Sequence, residues 1–203
     1  MRIGIDFDDV IIDFAGAFLK FHNKNYGTSL KYSDLTDYYF SNVIGIDTQT
    51  AIDRVMEFFK SDDIKDANHI EGVKEALIEL KLNGHELIIV TSRPDCFKDV
   101  TVNWINRNLE EGINMFSDVH HIVSCEEELS GDNVFQTKAE FIRENPVDIF
   151  IDDRYSHLVD IGKLGIKTIL FSRIWNEKDP LLPNMYRADS WGEVVKVVNV
   201  EFR

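Results

Sequence analysis

From position 71 to 171 the chain alternates short apolar runs with segments of helical periodicity, and nothing else in it restricts the fold as strongly. Residues 71–83 put Val73, Ala76, Leu77 and Leu80 on one helical face, with Gly84 as the stop. Residues 86–91 (Glu-Leu-Ile-Ile-Val-Thr) form a buried-strand pattern, followed by a helix over about 97–109. Strands are then expected at 119–123, 147–152 and 166–171, with helices at 136–144 and 155–164 between them. Ser190 caps a last short helix running to Val198. Strands separated by helices of this length imply a parallel sheet with right-handed crossovers.

The opening residues Met1-Arg-Ile-Gly-Ile-Asp6-Phe-Asp8-Asp-Val10 add a first strand, with Asp6 and Asp8 at its C-terminal end. Alternation along a strand sends residues two apart to the same side. Two carboxylates so placed repel unless a cation or a shared proton relieves them, although a polar turn is the plain alternative. A helix follows, with Phe14, Ala17, Phe18 and Phe21 at helical spacing. Residues 23–70 carry no strand pattern and are rich in Tyr, Phe, Asp and Asn, with 51–59 helical, so they read as a small helical insertion.

In a parallel α/β sheet the ligand site lies outside the carboxyl ends of the strands. Asp6 and Asp8, Thr91-Ser92-Arg93 and Asp152-Asp153 all stand there, and Lys138 opens the helix before the strand ending in Asp152. Acid pairs at two strand ends can enclose a hard divalent cation that keeps room for water and phosphate, which suits Mg²⁺. A hydroxyl and a lysine suit phosphate oxygens. One carboxylate can attack phosphorus while another serves the leaving oxygen as acid. Each group has a plainer reading: turn residues for Thr91 and Ser92, a surface lysine for Lys138, a helix cap for Asp152-Asp153. All four holding together is a stretch.

Composition narrows the partners. A formal charge of −14 argues against a nucleic-acid polymer or an anionic membrane, since both reward a basic face. No run approaches the roughly 18 apolar residues of a membrane span, and the first residues lack a signal-peptide pattern, so a cytoplasmic protein is expected. Cys96 and Cys125 suggest neither a metal site nor a disulfide scaffold. Cys125 and residues 126–128 read as exposed loop.

Asp6-x-Asp8 with Val10, hydrophobic-Thr91-Ser92, Lys138 and hydrophobic-Asp152-Asp153 resemble the four ordered motifs of the haloacid dehalogenase (HAD) superfamily phosphotransferases, over the whole chain. The resemblance implies a Rossmann-like three-layer α/β core with a parallel sheet, built from residues 1–13 and 71–203, and a small helical cap at 14–70. It implies Asp6 as the nucleophile forming an aspartyl-phosphate and Asp8 as general acid/base. Thr91 and Lys138 would hold the phosphoryl group. Asp6, the Asp8 carbonyl and Asp153 would bind Mg²⁺, with Asp152 acting through water. Asp at position 8 favours a phosphatase over a dehalogenase.

The segment from Asp6 to Phe21, with 151–154 and Ser190-Trp191, is similar to the 5′(3′)-deoxyribonucleotidases. That similarity implies a nucleoside monophosphate substrate, with the aromatic at Phe14 on the nucleobase. By periodicity alone Phe14 is a core residue of its helix. Ser92 and Arg93 are further candidates for substrate contact, and Arg93 and Arg154 equally for charge balance beside the carboxylates. Tyr38, Tyr39 and Phe40 read as packing residues more than as a stacking platform, and His120 and His121 as structural. A sugar phosphate or another small phosphoester is the alternative substrate. A receiver-like signalling domain or a non-catalytic phospho-ligand-binding protein is the alternative of another class.

Overall fold

The computed structural model describes residues 1–109, 112–124 and 136–201. Six strands form one fully parallel sheet: β1 (Arg2–Ile5), β2 (Glu86–Pro94), β3 (Asp118–Val123), β4 (Ile149–Asp152), β5 (Lys167–Phe171) and β6 (Met185–Ala188), in the order β3-β2-β1-β4-β5-β6. The helices are α1 (Phe14–Tyr26), α2 (Phe40–Ile44), α3 (Thr48–Lys60), α4 (Val73–Leu82), α5 (Lys98–Asn108), α6 (Lys138–Glu144), α7 (Tyr155–Gly162) and α8 (Trp191–Glu201). Two apolar layers cover the sheet. One contains Ile3, Ile5, Ile89, Ile151, Ile169 and Trp191, and the other Ile88, Val90, Phe150, Leu158 and Leu170. Neighbouring residues on each strand enter opposite layers, as the pleat requires.

The five strands expected from the sequence are present, shortened or extended by a few residues. The sixth, β6, is not legible in the chain. It is four residues long, follows Pro183-Asn184 and carries Arg187. That arginine is stabilised by donating to the carbonyls of Asn176 (3.2 Å) and Asp179 (2.9 Å). The strand β2 runs on past Thr91 to Pro94, with a register shift against β3 between Thr91 and Pro94. Between Phe14 and Asp66 every regular element among the described residues is helical. Cys96 is disulfide-bonded, a correction to the expectation from two widely spaced cysteines, because spacing alone does not reveal a single bridge. Cys125 and residues 126–128 lie outside the described residues.

The central strand β1 lies close to β4. A Cβ built on Gly4 falls 2.5 Å from Phe150 Cδ2, inside van der Waals contact. Gly4→Ala is therefore expected to destabilise the fold by roughly 1–3 kcal/mol, the usual cost of overpacking. Urea unfolding checks this, and an unchanged midpoint would mean that Phe150 swings away without cost.

Candidate active site

Each strand end brings its part of the site through local structure. The amide of Asp6 donates to Ile151 O at 2.9 Å, which ties the residue after β1 to β4. The chain then turns tightly, with the amides of Ile11 and Ile12 both donating to Phe7 O and the Asp9 amide to Ile12 O. This turn needs a left-handed residue at Asp9 (φ 57°), a conformation that Asp tolerates better than most side chains. The Asp9 carboxylate accepts the Ala15 amide at 2.9 Å, and its carbonyl accepts Arg173 Nε at 2.7 Å. Asp13 then caps α1 by accepting the Gly16 amide.

At the other strand end, Thr137 and Glu140 form a capping box that starts α6 at Lys138. Lys138 is buried, and its Nζ lies 2.7 Å from Asp6 Oδ1 and 2.7 Å from Asp152 Oδ2. Asp152 also accepts the Arg154 amide at 2.8 Å and faces His157 Nδ1 at 3.0 Å. Asp153 accepts Trp175 Nε1 at 2.8 Å, while Asn176 Nδ2 donates to the Asp153 carbonyl at 2.7 Å.

Asp6, Asp152 and Asp153 are buried together, each offering a carboxylate oxygen, all within 4.8 Å of one another. Three buried carboxylates face one ammonium group. Burial pushes Asp6 up to about 7, against the pull of Lys138. Asp153 is raised well above the ordinary carboxylate range by burial and by the charges of Asp152, Asp9 and Asp6. Burial alone would also raise Asp152, but Lys138 and His157 outweigh it and hold the carboxyl low. Burial opposes the charge on Lys138, and the two carboxylates more than restore it. The excess negative charge calls for a proton or a cation. Oxygen-only donors with this charge suit a hard divalent ion such as Mg²⁺.

Over this cluster opens a cavity of about 630 Å³. Asp6, Asp8, Lys138 and Asp153 line its floor, and Phe14, Leu35, Tyr38, Tyr39, Val55, Met56 and Phe59 are among its walls. Phe14 is at once a core residue, touching the rings of Phe18, Phe58 and Phe59, and a cavity wall. Ser92 lines the cavity; Thr91 is fully buried, is not among the lining residues, and its Oγ1 accepts the Arg93 amide at 3.1 Å. The Arg93 side chain points to Asp8 and Thr101, giving it partners other than a substrate. Tyr38 and Tyr39 stand at the cavity wall with Arg154 over both rings, and Arg154 Nη2 donates to Tyr39 Oη at 2.8 Å. Phe40 packs on Phe18.

Sequence reasoning passed over Asp9, His157 and Trp175, which also line the cavity. Asp9 was legible as the third acid of Asp6-x-Asp8-Asp9. Nothing in their neighbourhoods marks His157 and Trp175.

Among solved structures the chain resembles a haloacid dehalogenase-like hydrolase of Streptococcus pneumoniae, with TM-score 0.66, 14% identity and 96% of each chain covered. It also resembles the magnesium-bound YfnB of Bacillus subtilis, with TM-score 0.62, 14% identity and 98% of each chain covered. A relative from Halalkalibacterium halodurans, "Putative nucleotidase BH1399", is 32% identical over 95% of this chain and 89% of its own length. The fold is that of HAD-like hydrolases, and the relatives define the class as a nucleotidase, a hydrolase of the phosphatase type. Residues 1–203 match the model of one family, "5' nucleotidase, deoxy (Pyrimidine), cytosolic type C protein", and the chain belongs to that family. The receiver-like and non-catalytic readings are left without support.

Proposed function

We propose that the protein is a Mg²⁺-dependent phosphomonoesterase that releases phosphate from nucleoside monophosphates through an aspartyl-phosphate on Asp6. The observation that carries this reading is Asp6 beside Lys138, Asp152 and Asp153 on the floor of a mostly apolar cavity. An Asp6 carboxylate oxygen attacks phosphorus and the bond to the leaving oxygen breaks, with Asp8 supplying the proton that oxygen needs. Water then attacks the phosphoryl group, Asp8 takes the proton back, and Asp6 is released. Lys138 offsets phosphoryl charge, and Ser92, which lines the cavity, supplies hydrogen bonds at that end, with Thr91 buried directly behind it. Asp6, Asp153 and the Asp8 carbonyl would hold Mg²⁺, with Asp152 behind them. Bound there, the ion neutralises charge on the carboxylate and phosphoryl oxygens, which otherwise repel.

Residues 14–70 serve as the cap in this reading and residues 1–13 and 71–203 as the catalytic core. Phe14, Phe59, Tyr38 and Tyr39 offer flat apolar faces to a nucleobase. Asp37, Ser41 and Thr48 on the cavity wall support a second substrate, a hydroxyl-rich sugar phosphate. A charge of −14 fits a small substrate better than a nucleic-acid polymer, and no helix among the described residues is long and apolar enough to cross a membrane. A cytoplasmic location accords with this reading.

Phosphate release from a panel of nucleotides and sugar phosphates, with Mg²⁺ and with EDTA, tests the proposal. Mg²⁺-dependent release concentrated on deoxynucleoside monophosphates is expected. Release concentrated on sugar phosphates would discard the nucleotide and keep the chemistry, and release undiminished by EDTA would discard the metal.

A further inference from the structure

Arg93 is the one arginine whose side chain is wholly withdrawn from solvent in an ion pair among the described residues; its partner Asp8 keeps 24% exposure toward the cavity. Its Nε donates to Asp8 Oδ2 at 2.9 Å and Oδ1 at 3.1 Å, and its Nη2 to Oδ1 at 2.6 Å. Nη1 donates to Thr101 Oγ1 at 3.2 Å, and Thr101 in turn donates to Phe97 O. The guanidinium carbon lies 4.5 Å from the Phe7 ring centroid and 5.0 Å from that of Phe59.

A buried guanidinium among aromatic rings is costly unless a carboxylate meets it, and here that carboxylate is Asp8. Contact through two nitrogens restrains rotation of the carboxylate as a single contact does not. The backbone reinforces the arrangement, since the Arg93 amide is held by Thr91 Oγ1 and its carbonyl faces His121 Nδ1 at 3.2 Å. Arg93 therefore reaches the cavity floor from β2, the strand next to the one that delivers Asp8.

We propose that Arg93 is a positioning residue that holds the Asp8 carboxylate, through the Asp8–Arg93–Thr101 hydrogen bonds, where it exchanges a proton with the leaving oxygen. This rests on the proton-transfer role of Asp8 proposed above. The consequence differs from that of an arginine serving only to balance charge. A misplaced Asp8 penalises substrates that need a proton on the leaving oxygen, and spares nitrophenyl phosphate, whose phenolate departs without one.

The test compares kcat of wild type, Asp8→Asn, Arg93→Gln, Arg93→Lys, Thr101→Val and the Asp8→Asn/Arg93→Gln double variant. Each is assayed with Mg²⁺ on nitrophenyl phosphate and on the alkyl phosphate most readily hydrolysed in the panel above. Arg93→Gln is expected to lose about 10²-fold on the alkyl phosphate and under about 5-fold on nitrophenyl phosphate, in line with the usual size of acid–base contributions. Arg93→Lys should fall between it and wild type, because an ammonium replaces the fork by a point. The double variant should be no slower than Asp8→Asn alone on the alkyl phosphate. If Asp8→Asn discriminates between the two substrates and Arg93→Gln does not, the positioning role is overturned and the role of Asp8 stands. If Asp8→Asn itself fails to discriminate, both fall. Should Arg93→Gln not fold, Arg93→Lys and Thr101→Val decide by the same comparison: selective loss on the alkyl phosphate supports the role, and equal loss on both substrates overturns it.

Discussion

Asp6→Asn is expected to lower phosphate release by about 10⁴-fold or more, the scale on which removing a covalent nucleophile acts. The amide keeps the size of the side chain but cannot form the acyl-phosphate bond. The fold should survive. Asp6 is raised from an ordinary value of 3.8 to about 7 by burial, so its folded form binds a proton more tightly than its unfolded form. The stability that Asp6 contributes is thus full below 3.8 and is lost as pH rises to about 7. Asn carries no such penalty. Measured without metal, the thermal midpoint of Asp6→Asn should gain on wild type across that window and hold its advantage above it. Activity within tenfold of wild type would end the covalent mechanism. A collapse of the midpoint at neutral pH would mean that the contact with Lys138, and not burial of charge, dominates at Asp6.

Chelation is the second large effect. EDTA should bring turnover close to background, and Mg²⁺ added to metal-free protein should raise the thermal midpoint. A ligand at a hundred times its dissociation constant stabilises by about 2.7 kcal/mol. Protons compete with the ion, because burial and neighbouring carboxylates keep Asp6 and Asp153 protonated to higher pH than usual. The Mg²⁺-induced shift should therefore be smaller at pH 6 than at pH 8. Asp153→Asn, which removes a carboxylate that no lysine or arginine among the described residues pairs with, should weaken the effect of Mg²⁺ by about 10-fold or more. Titrations of the midpoint against Mg²⁺ check both points. An Asp153→Asn protein that responds to Mg²⁺ as wild type does would place the ion elsewhere.

The Asp9 turn shows how the site is held under strain. A left-handed aspartate with a buried carboxyl pushed up to about 8 by desolvation is an unfavourable residue in isolation. It persists because the Ala15 amide and the Arg173 guanidinium, from α1 and from the loop after β5, both bond to it.

Much of this protein is legible in its residues alone. The runs Ile3 to Ile5, Leu87 to Val90 and Ile149 to Ile151 are buried on both faces, so their apolarity is continuous and marks them as strands of a covered parallel sheet. The acids at their carboxyl ends follow from the same reading, because the chain direction of a parallel sheet sends every such end to one edge. Lys138 is legible through Thr137 and Glu140, a local signal that starts a helix at a known residue. What the tertiary structure alone decided is who meets whom. Arg93 and Asp8 are 85 positions apart, Trp175 and Asp153 are 22 apart, and β6 is a strand only because β5 supplies its hydrogen-bond partners. Periodicity and capping act over a few residues, whereas these pairings depend on strand order and crossover, so no local pattern announces them.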